Sequence, residues 1–260
     1  MTHVRYLADR IGVRLAGSDA EKRAADYVVG QLESLGYQPR VETFPLPNGK
    51  TSRNVIAEKP GSSRRALVLG AHLDSKPPSP GANDDASGVG ALLAMASALA
   101  GEETAATVQF AFFGAEEITG SDVNEHHLGS RYRVSKTATA EKARISGMIS
   151  LDVIGHGDRL YARTLNKGPQ SLAQDMIAYS RLRVPLTYRR DPAKTGQSDH
   201  EAYELARLPA VWIESLPDPA YHKTTDTGAH IQVARLQQVG QLVLDYVASR
   251  TDTTLAALRK

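Results

Sequence analysis

Four stretches of this chain are apolar at almost every position: Ala66–Leu69, Thr107–Phe113 (TVQFAFF), Ile145–Leu151 and Ala210–Ile213. A strand with one face in water alternates apolar and polar residues, so continuous runs of this length read as strands covered on both faces. Between them lie longer stretches with helical spacing, at Ala86–Ala100, Ser171–Arg181 and Ile231–Ser249. An earlier helix, EKRAADYVVGQLESL, carries apolar residues at Ala25, Val28, Val29, Leu32 and Leu35 and stops at Gly36. Ser18-Asp19-Ala20-Glu21 fits a capping box at its start. More polar strand-like runs, around Arg40–Phe44 and Arg53–Ala57, flank the turn signal Pro47-Asn48-Gly49. Apolar strands alternating with helices predict an α/β fold with a largely parallel core. The proline-rich Lys76–Pro80 reads as a loop inside that fold, and without a repeat or a linker the chain reads as one domain over 1–260.

In open α/β sheets, ligands bind beyond the carboxyl ends of the strands. His72 and Asp74 follow the first apolar run, Glu116 and Glu117 the second, and Asp152 the third. After the fourth comes Glu214, with Tyr221 and His222 a short loop later. Asp84 and Asp85 stand at the start of an apolar helix, where the helix dipole favours anions. Two histidines and several carboxylates thus collect at one edge of one sheet, whereas chance would spread them over both ends of the strands.

Composition narrows what this cluster can do. The 260 residues include no cysteine, which excludes disulfides, thiolate metal sites and a cysteine nucleophile. Any metal must then be held by histidines and carboxylates, a donor set that suits zinc, cobalt or manganese. His72, Asp84, Glu117, Asp152 and His222 exceed the three ligands of a mononuclear catalytic zinc and point to two metals sharing a carboxylate, with Asp84 the natural bridge. The remaining glutamate of the adjacent pair would stand beside the metals as a general base. Singly, each feature has an ordinary reading: a turn with an N-cap for GANDDASG, solvated charge for the glutamates, an exposed loop histidine for His222, packing for Tyr221. Together, at one sheet edge, they do not. Lys and Arg number 31 against 29 Asp and Glu, spread evenly and leaving a net charge of +2, so no basic stripe points to nucleic acid. Hydrophobic residues make up 41% of the chain, but no apolar run approaches membrane-spanning length.

The residues also resemble a family, the M28 zinc peptidases, which are co-catalytic two-zinc aminopeptidases. The resemblance runs through LAGSDAEKRAADYVVGQLESLGY, SRNVIAEKPG, GAHLDS, PGANDDASGVGALL, FFGAEE, LGSRYRV, SLDVIGHG, QSDHEAYELARLPAVWIES and YHKTTDT. It implies a zinc-exopeptidase-like three-layer αβα sandwich around a mixed, largely parallel sheet. It implies two Zn2+ per chain, with Co2+ or Mn2+ able to substitute. His72 and Asp152 would complete one metal site and Glu117 and His222 the other, with Asp84 bridging. Glu116 would be the general base and later the proton donor to the leaving amine. Asp74 would accept a hydrogen bond from the second ring nitrogen of His72, and Tyr221 would stabilise the tetrahedral oxyanion. A cis Asp84–Asp85 bond and a supporting, non-ligand role for Asp199 are implied as well. The substrate would be a peptide with a free N-terminus, its α-amine near Glu116 and Asp152.

The chain departs from the simplest members in one place. ITGSDVNEHHL intervenes between Glu117 and Gly129, near the rim of the site, and His126 and His127 within it read as exposed loop histidines. Glutaminyl cyclases, related in fold, carry an extended loop near this point and stand as the nearest alternative, using one zinc for intramolecular transfer. A carboxypeptidase or aminoacylase type of hydrolase and a non-catalytic domain of the same fold complete the alternatives. The opening MTHVRYLADRIGV lacks a basic-then-apolar signal segment. That places the protein in the cytoplasm if Met1 is its native start, and outside the cell if a signal peptide preceded it.

Overall fold

The computed structural model describes residues 1–117, 125–191 and 196–259. Eight strands form one sheet: β1 (Arg40–Pro45), β2 (Thr51–Lys59), β3 (Ala66–His72), β4 (Thr107–Phe113), β5 (Ile145–Leu151), β6 (Arg159–Thr164), β7 (Leu186–Arg190) and β8 (Ala210–Leu216). Their order is β1-β2-β4-β3-β5-β8-β6-β7. The central four, β4, β3, β5 and β8, are mutually parallel, while β2 joins β4 and β6 joins β8 antiparallel. The sheet is therefore mixed with a parallel core.

Among the described residues, helices α1 (Thr2–Arg5), α2 (Asp19–Ser34), α3 (Ala86–Leu99), α4 (Leu128–Lys136), α5 (Thr139–Arg144), α6 (Ser171–Ser180), α7 (His200–Leu205), α8 (Val233–Ala248) and α9 (Asp252–Ala257) surround it. A π-helical turn, Tyr6–Ile11, continues α1. Alternate residues of the central strands point to opposite faces. Leu67, Leu69, Phe110, Phe112, Ile149 and Val211 pack with α2, α3, α6 and α8, forming the larger core. Val68, Ala111, Phe113, Met148 and Ala210 pack against Val134 of α4 and Ala202 and Tyr203 of α7. Every residue of β3, β4 and β5 is buried, which is why these strands read as unbroken apolar runs. The result is the three-layer sandwich.

Two details refine the sequence reading. Ser18 does cap α2, its hydroxyl accepting from the Glu21 amide at 3.3 Å, but Glu21 does not complete the capping box. Its carboxylate accepts instead from the amides of Gly17 (2.7 Å) and Ala115 (3.0 Å) and from the Ser52 hydroxyl (2.6 Å). β6 and the edge strand β7 went unpredicted because they are short and mix Leu160, Tyr161, Leu186 and Tyr188 with polar or small residues. No helix among the described residues is long and apolar enough to cross a membrane.

Candidate metal centre

Because β4, β3, β5 and β8 run parallel, the residues that follow them emerge at one edge of the sheet. His72 ends β3, Glu116 and Glu117 follow β4, and Asp152 follows β5. Asp84 precedes α3, whose N-cap is Asp85, and the Asp84–Asp85 bond is cis as expected. Asp85 itself is spent on structure: its carboxylate accepts from the amides of Gly88 and His72, both at 3.0 Å.

Asp84 faces both ways. Its Oδ1 lies 3.0 Å from His72 Nε2, and its Oδ2 lies 3.0 Å from His222 Nε2. Asp152 Oδ1 is 3.6 Å from His72 Nε2 and Glu117 Oε1 is 3.1 Å from His222 Nε2. The five residues thus divide into two groups, His72 with Asp152 and His222 with Glu117, each taking one oxygen of Asp84. Proximity alone would equally place Asp85 with His72 and Asp152. Asp85 is committed to two backbone bonds, whereas Asp84 alone of the pair faces both groups.

The donor set fits divalent cations on a second count. Glu117 Oε1, Asp152 Oδ1 and His222 Nε2 are buried without a hydrogen-bond partner. Each still lies close to the other donors of its group, as lone pairs converging on a cation do. Buried polar atoms left unpaired are costly, and a bound metal satisfies them.

The surrounding chain holds these ligands in place. Asp74 accepts from the amides of Glu116 (3.0 Å) and Glu117 (3.1 Å), so its carboxylate orients the glutamate pair. Its oxygen is 3.6 Å from His72 Nδ1, and its backbone carbonyl, at 3.2 Å, is the nearer acceptor for that ring nitrogen. Arg14, fully buried, donates to the carbonyls of Leu73 (2.7 Å), Pro80 (2.6 Å) and Gly81 (3.0 Å), pinning both ends of the loop between His72 and Asp84. Burial pushes its guanidinium down to about 10, opposed by the charge of Asp74 and Asp226. Asp226 accepts from the amides of Asn83 (2.7 Å) and Asp84 (3.2 Å) and is pushed up to about 6, chiefly by burial. Neither Arg14 nor Asp226 stood out in the sequence. A lone arginine ahead of α2 has no local signal of its carbonyl partners, although DT in YHKTTDT lay within the resembling motif.

A cavity of about 210 Å³ opens over the cluster, lined by Asp84, Glu116, Glu117, Asp152, Trp212 and Tyr221 among others. Tyr221 is half exposed and stacks on His222, with ring centroids 3.7 Å apart. Partial burial and then the charge of Asp84 and Glu117 push its phenol up, so it stays protonated and able to donate. Burial raises Glu116 to about 8. His222 is pushed up to about 9 by Asp84 and Glu117, against burial, and His72 is raised by Glu116, Asp152 and Asp74, also against burial.

The expectation for His126 and His127 was wrong. Both are buried, at 5% and 2% exposure. The His127 amide donates to the Glu116 carbonyl at 2.7 Å, which folds the chain back against the glutamate pair. His127 Nε2 lies 2.9 Å from Glu116 Oε1 and its Nδ1 lies 2.8 Å from Glu201 Oε2. His126, His127 and Glu201 could also be read as a third metal group. However, Arg131 Nη2 sits 2.8 Å from Glu201 Oε2 and 3.0 Å from His126 Nε2, so a fixed cation already fills that place. Residues 118–124 of the intervening segment lie outside the described residues. Asp199 is buried near the site and raised to about 6 by burial.

Comparison with known proteins bears on this geometry. A family model described as Peptidase family M28 matches residues 54–247. Leupeptin-inactivating enzyme 1 of Streptomyces exfoliatus is 33% identical over 220 residues, covering 84% of this chain and 47% of that protein. The chain spans about half the length of the curated relatives it matches. Among solved structures, the zinc aminopeptidase BSAP from Bacillus subtilis superposes with a TM-score of 0.82 at 19% identity, over 94% of this chain and 92% of that one. A glutaminyl cyclase from Bacteroides thetaiotaomicron bound to N-acetylhistamine superposes with a TM-score of 0.82 at 22% identity, covering 96% of each chain. Both likenesses show the shared fold.

Proposed function

The chain belongs to peptidase family M28, and from that premise we propose that it is a two-zinc aminopeptidase with Glu116 as its general base, carried by one peptidase domain. The observation that supports this reading most is the two-sided approach of Asp84, one oxygen toward His72 and the other toward His222. A single-zinc site does not need a carboxylate shared in this way. Zinc, when bound, acidifies the attacking water and polarises the scissile carbonyl.

The chain's own side chains supply the rest. Glu116 is buried and lines the cavity beside the proposed ligand Glu117, so its carboxylate stands within reach of a water between the two metal groups. In this reading it takes the proton of the attacking water and returns it to the departing amine. Tyr221, protonated and also lining the cavity, donates to the oxyanion of the tetrahedral intermediate. The carboxylates of Glu116 and Asp152 receive the substrate's ammonium group, which limits cleavage to the first residue.

A good substrate and its N-acetyl derivative test the reading. Acetylation removes a charge-assisted contact in a water-poor site, for which about a ten- to hundredfold loss of kcat/KM is expected, with steric exclusion adding to it. Equal turnover of both would place the protein among hydrolases that do not recognise a free amine.

A further inference from the structure

His127 takes a left-handed backbone conformation, φ 50°, which a residue other than glycine adopts at a cost. Two backbone hydrogen bonds fix it there: the His127 amide to the Glu116 carbonyl (2.7 Å) and the Leu128 amide to the Ala115 carbonyl (2.9 Å). The imidazole then stands between two carboxylates, with Nε2 2.9 Å from Glu116 Oε1 and Nδ1 2.8 Å from Glu201 Oε2. Glu201 is in turn held from two other directions. Arg131 donates to its Oε2 at 2.8 Å, and the Gly196 amide donates to its Oε1 at 3.0 Å. Gly129, two residues on, leaves no room for adjustment, since a Cβ there would come within 2.3 Å of the Gly114 carbonyl. His126, lowered to about 4 mainly by burial and then by the charge of His127, lies 3.2 Å away through its Nδ1 and adds no positive charge.

From this geometry we infer that His127 is a positioning residue for Glu116: braced by Glu201, its Nε2 makes a 2.9 Å ion-pair contact with one oxygen of the glutamate carboxylate while also meeting His126 Nδ1, and so fixes the direction in which the other oxygen faces the cavity. The inference rests on the reading of Glu116 as the general base. Glu116 has no other ion-paired side chain among the described residues, while its neighbour Glu117 is turned toward His222. A carboxylate free to rotate would spend part of its time pointing away from the attacking water, and small misplacements of a catalytic group are costly.

Four variants of the zinc-loaded chain test this: His127→Leu, His127→Asn, His127→Gln and Glu116→Gln. Leucine has no donor and asparagine is too short to reach Glu116 Oε1, whereas the glutamine amide can reach it. His127→Leu and His127→Asn should lower kcat about ten- to hundredfold, the scale of one hydrogen bond to a charged group, with KM within about twofold. Zinc content and thermal midpoint of the asparagine variant should stay close to wild type, and His127→Gln should recover at least about a third of the wild-type kcat. If the leucine variant fails to fold, the asparagine and glutamine pair carries the test alone. Equal kcat for wild type, asparagine and glutamine variants, with Glu116→Gln inactive, would overturn the role of His127 and leave the general base standing. An active Glu116→Gln would instead remove the base itself.

Discussion

At the scale of single residues, the adjacent glutamates make the sharpest test because they differ by one position and by role. Glu116 touches His127 and the cavity, whereas Glu117 Oε1 lies 3.1 Å from His222 Nε2 in the group that shares Asp84. Glu116→Gln is expected to lower kcat at least ~10²-fold while zinc content is unchanged. Glu117→Gln should weaken zinc binding, measured by competition with a chelator. Reversal of the two effects would exchange the roles. His72, Glu116, Glu117 and Asp152, which the structure brings together, stood out in the chain because they directly follow apolar runs, and Asp84 because it precedes an apolar helix. Exposure could not be read in this way. His127 stands in a polar stretch, NEHH, and its burial depends on Glu201 and Arg131, distant in sequence or on the next helix.

At the scale of elements, the start of α3 controls how closely Asp84 approaches the end of β5. Gly88 lies so near β5 that a Cβ would come within 2.0 Å of the Leu151 carbonyl and 2.6 Å of Asp85 Oδ1. Gly88→Ala should therefore push α3 away from Asp152, lowering the thermal midpoint and the zinc affinity together. A variant with lowered stability and wild-type zinc affinity would show that the two ends are not coupled. A second element-level prediction concerns the start of α2. Burial pushes Glu21 up to about 7, against the hydrogen bonds it accepts from Ser52, Gly17 and Ala115. Its folded pKa lies above the ordinary carboxylate value, so the native state holds the proton more tightly than the unfolded chain. That contribution is fully present below about pH 4.5 and is lost as pH rises through about 7, a difference of order 3 kcal/mol. The stability of Glu21→Gln relative to wild type should accordingly improve between pH 5 and pH 8. A difference in thermal midpoint that is flat over that range would contradict the assignment. The buried strands β3, β4 and β5 and helices α2, α3, α6 and α8 were legible because each has one period and a covered face. Strand β6, the edge strand β7 and the short helices α4, α5 and α7 were not, since their places are set by packing against the sheet and α4 carries largely polar residues.

At the scale of the whole molecule, the fold gathers carboxylates from the ends of β3, β4 and β5 and from the start of α3 into one partly enclosed site, and two divalent cations would offset them. Zinc binds the native arrangement far better than the unfolded chain, so about 2.7 kcal/mol of stability is expected at free zinc a hundredfold above Kd. Titration with zinc should raise the thermal midpoint and saturate near two equivalents; saturation at one would point to the cyclase-like arrangement. Fold alone cannot separate the two chemistries, since an aminopeptidase and a glutaminyl cyclase superpose on the chain equally well. The most direct test of the central claim is the mass of the products when a leucyl peptide and a glutaminyl peptide are incubated side by side with zinc-loaded protein. The account predicts that the leucyl peptide loses its whole N-terminal residue. Loss of ammonia from the glutaminyl peptide with ring closure, and no change in the leucyl peptide, would contradict it.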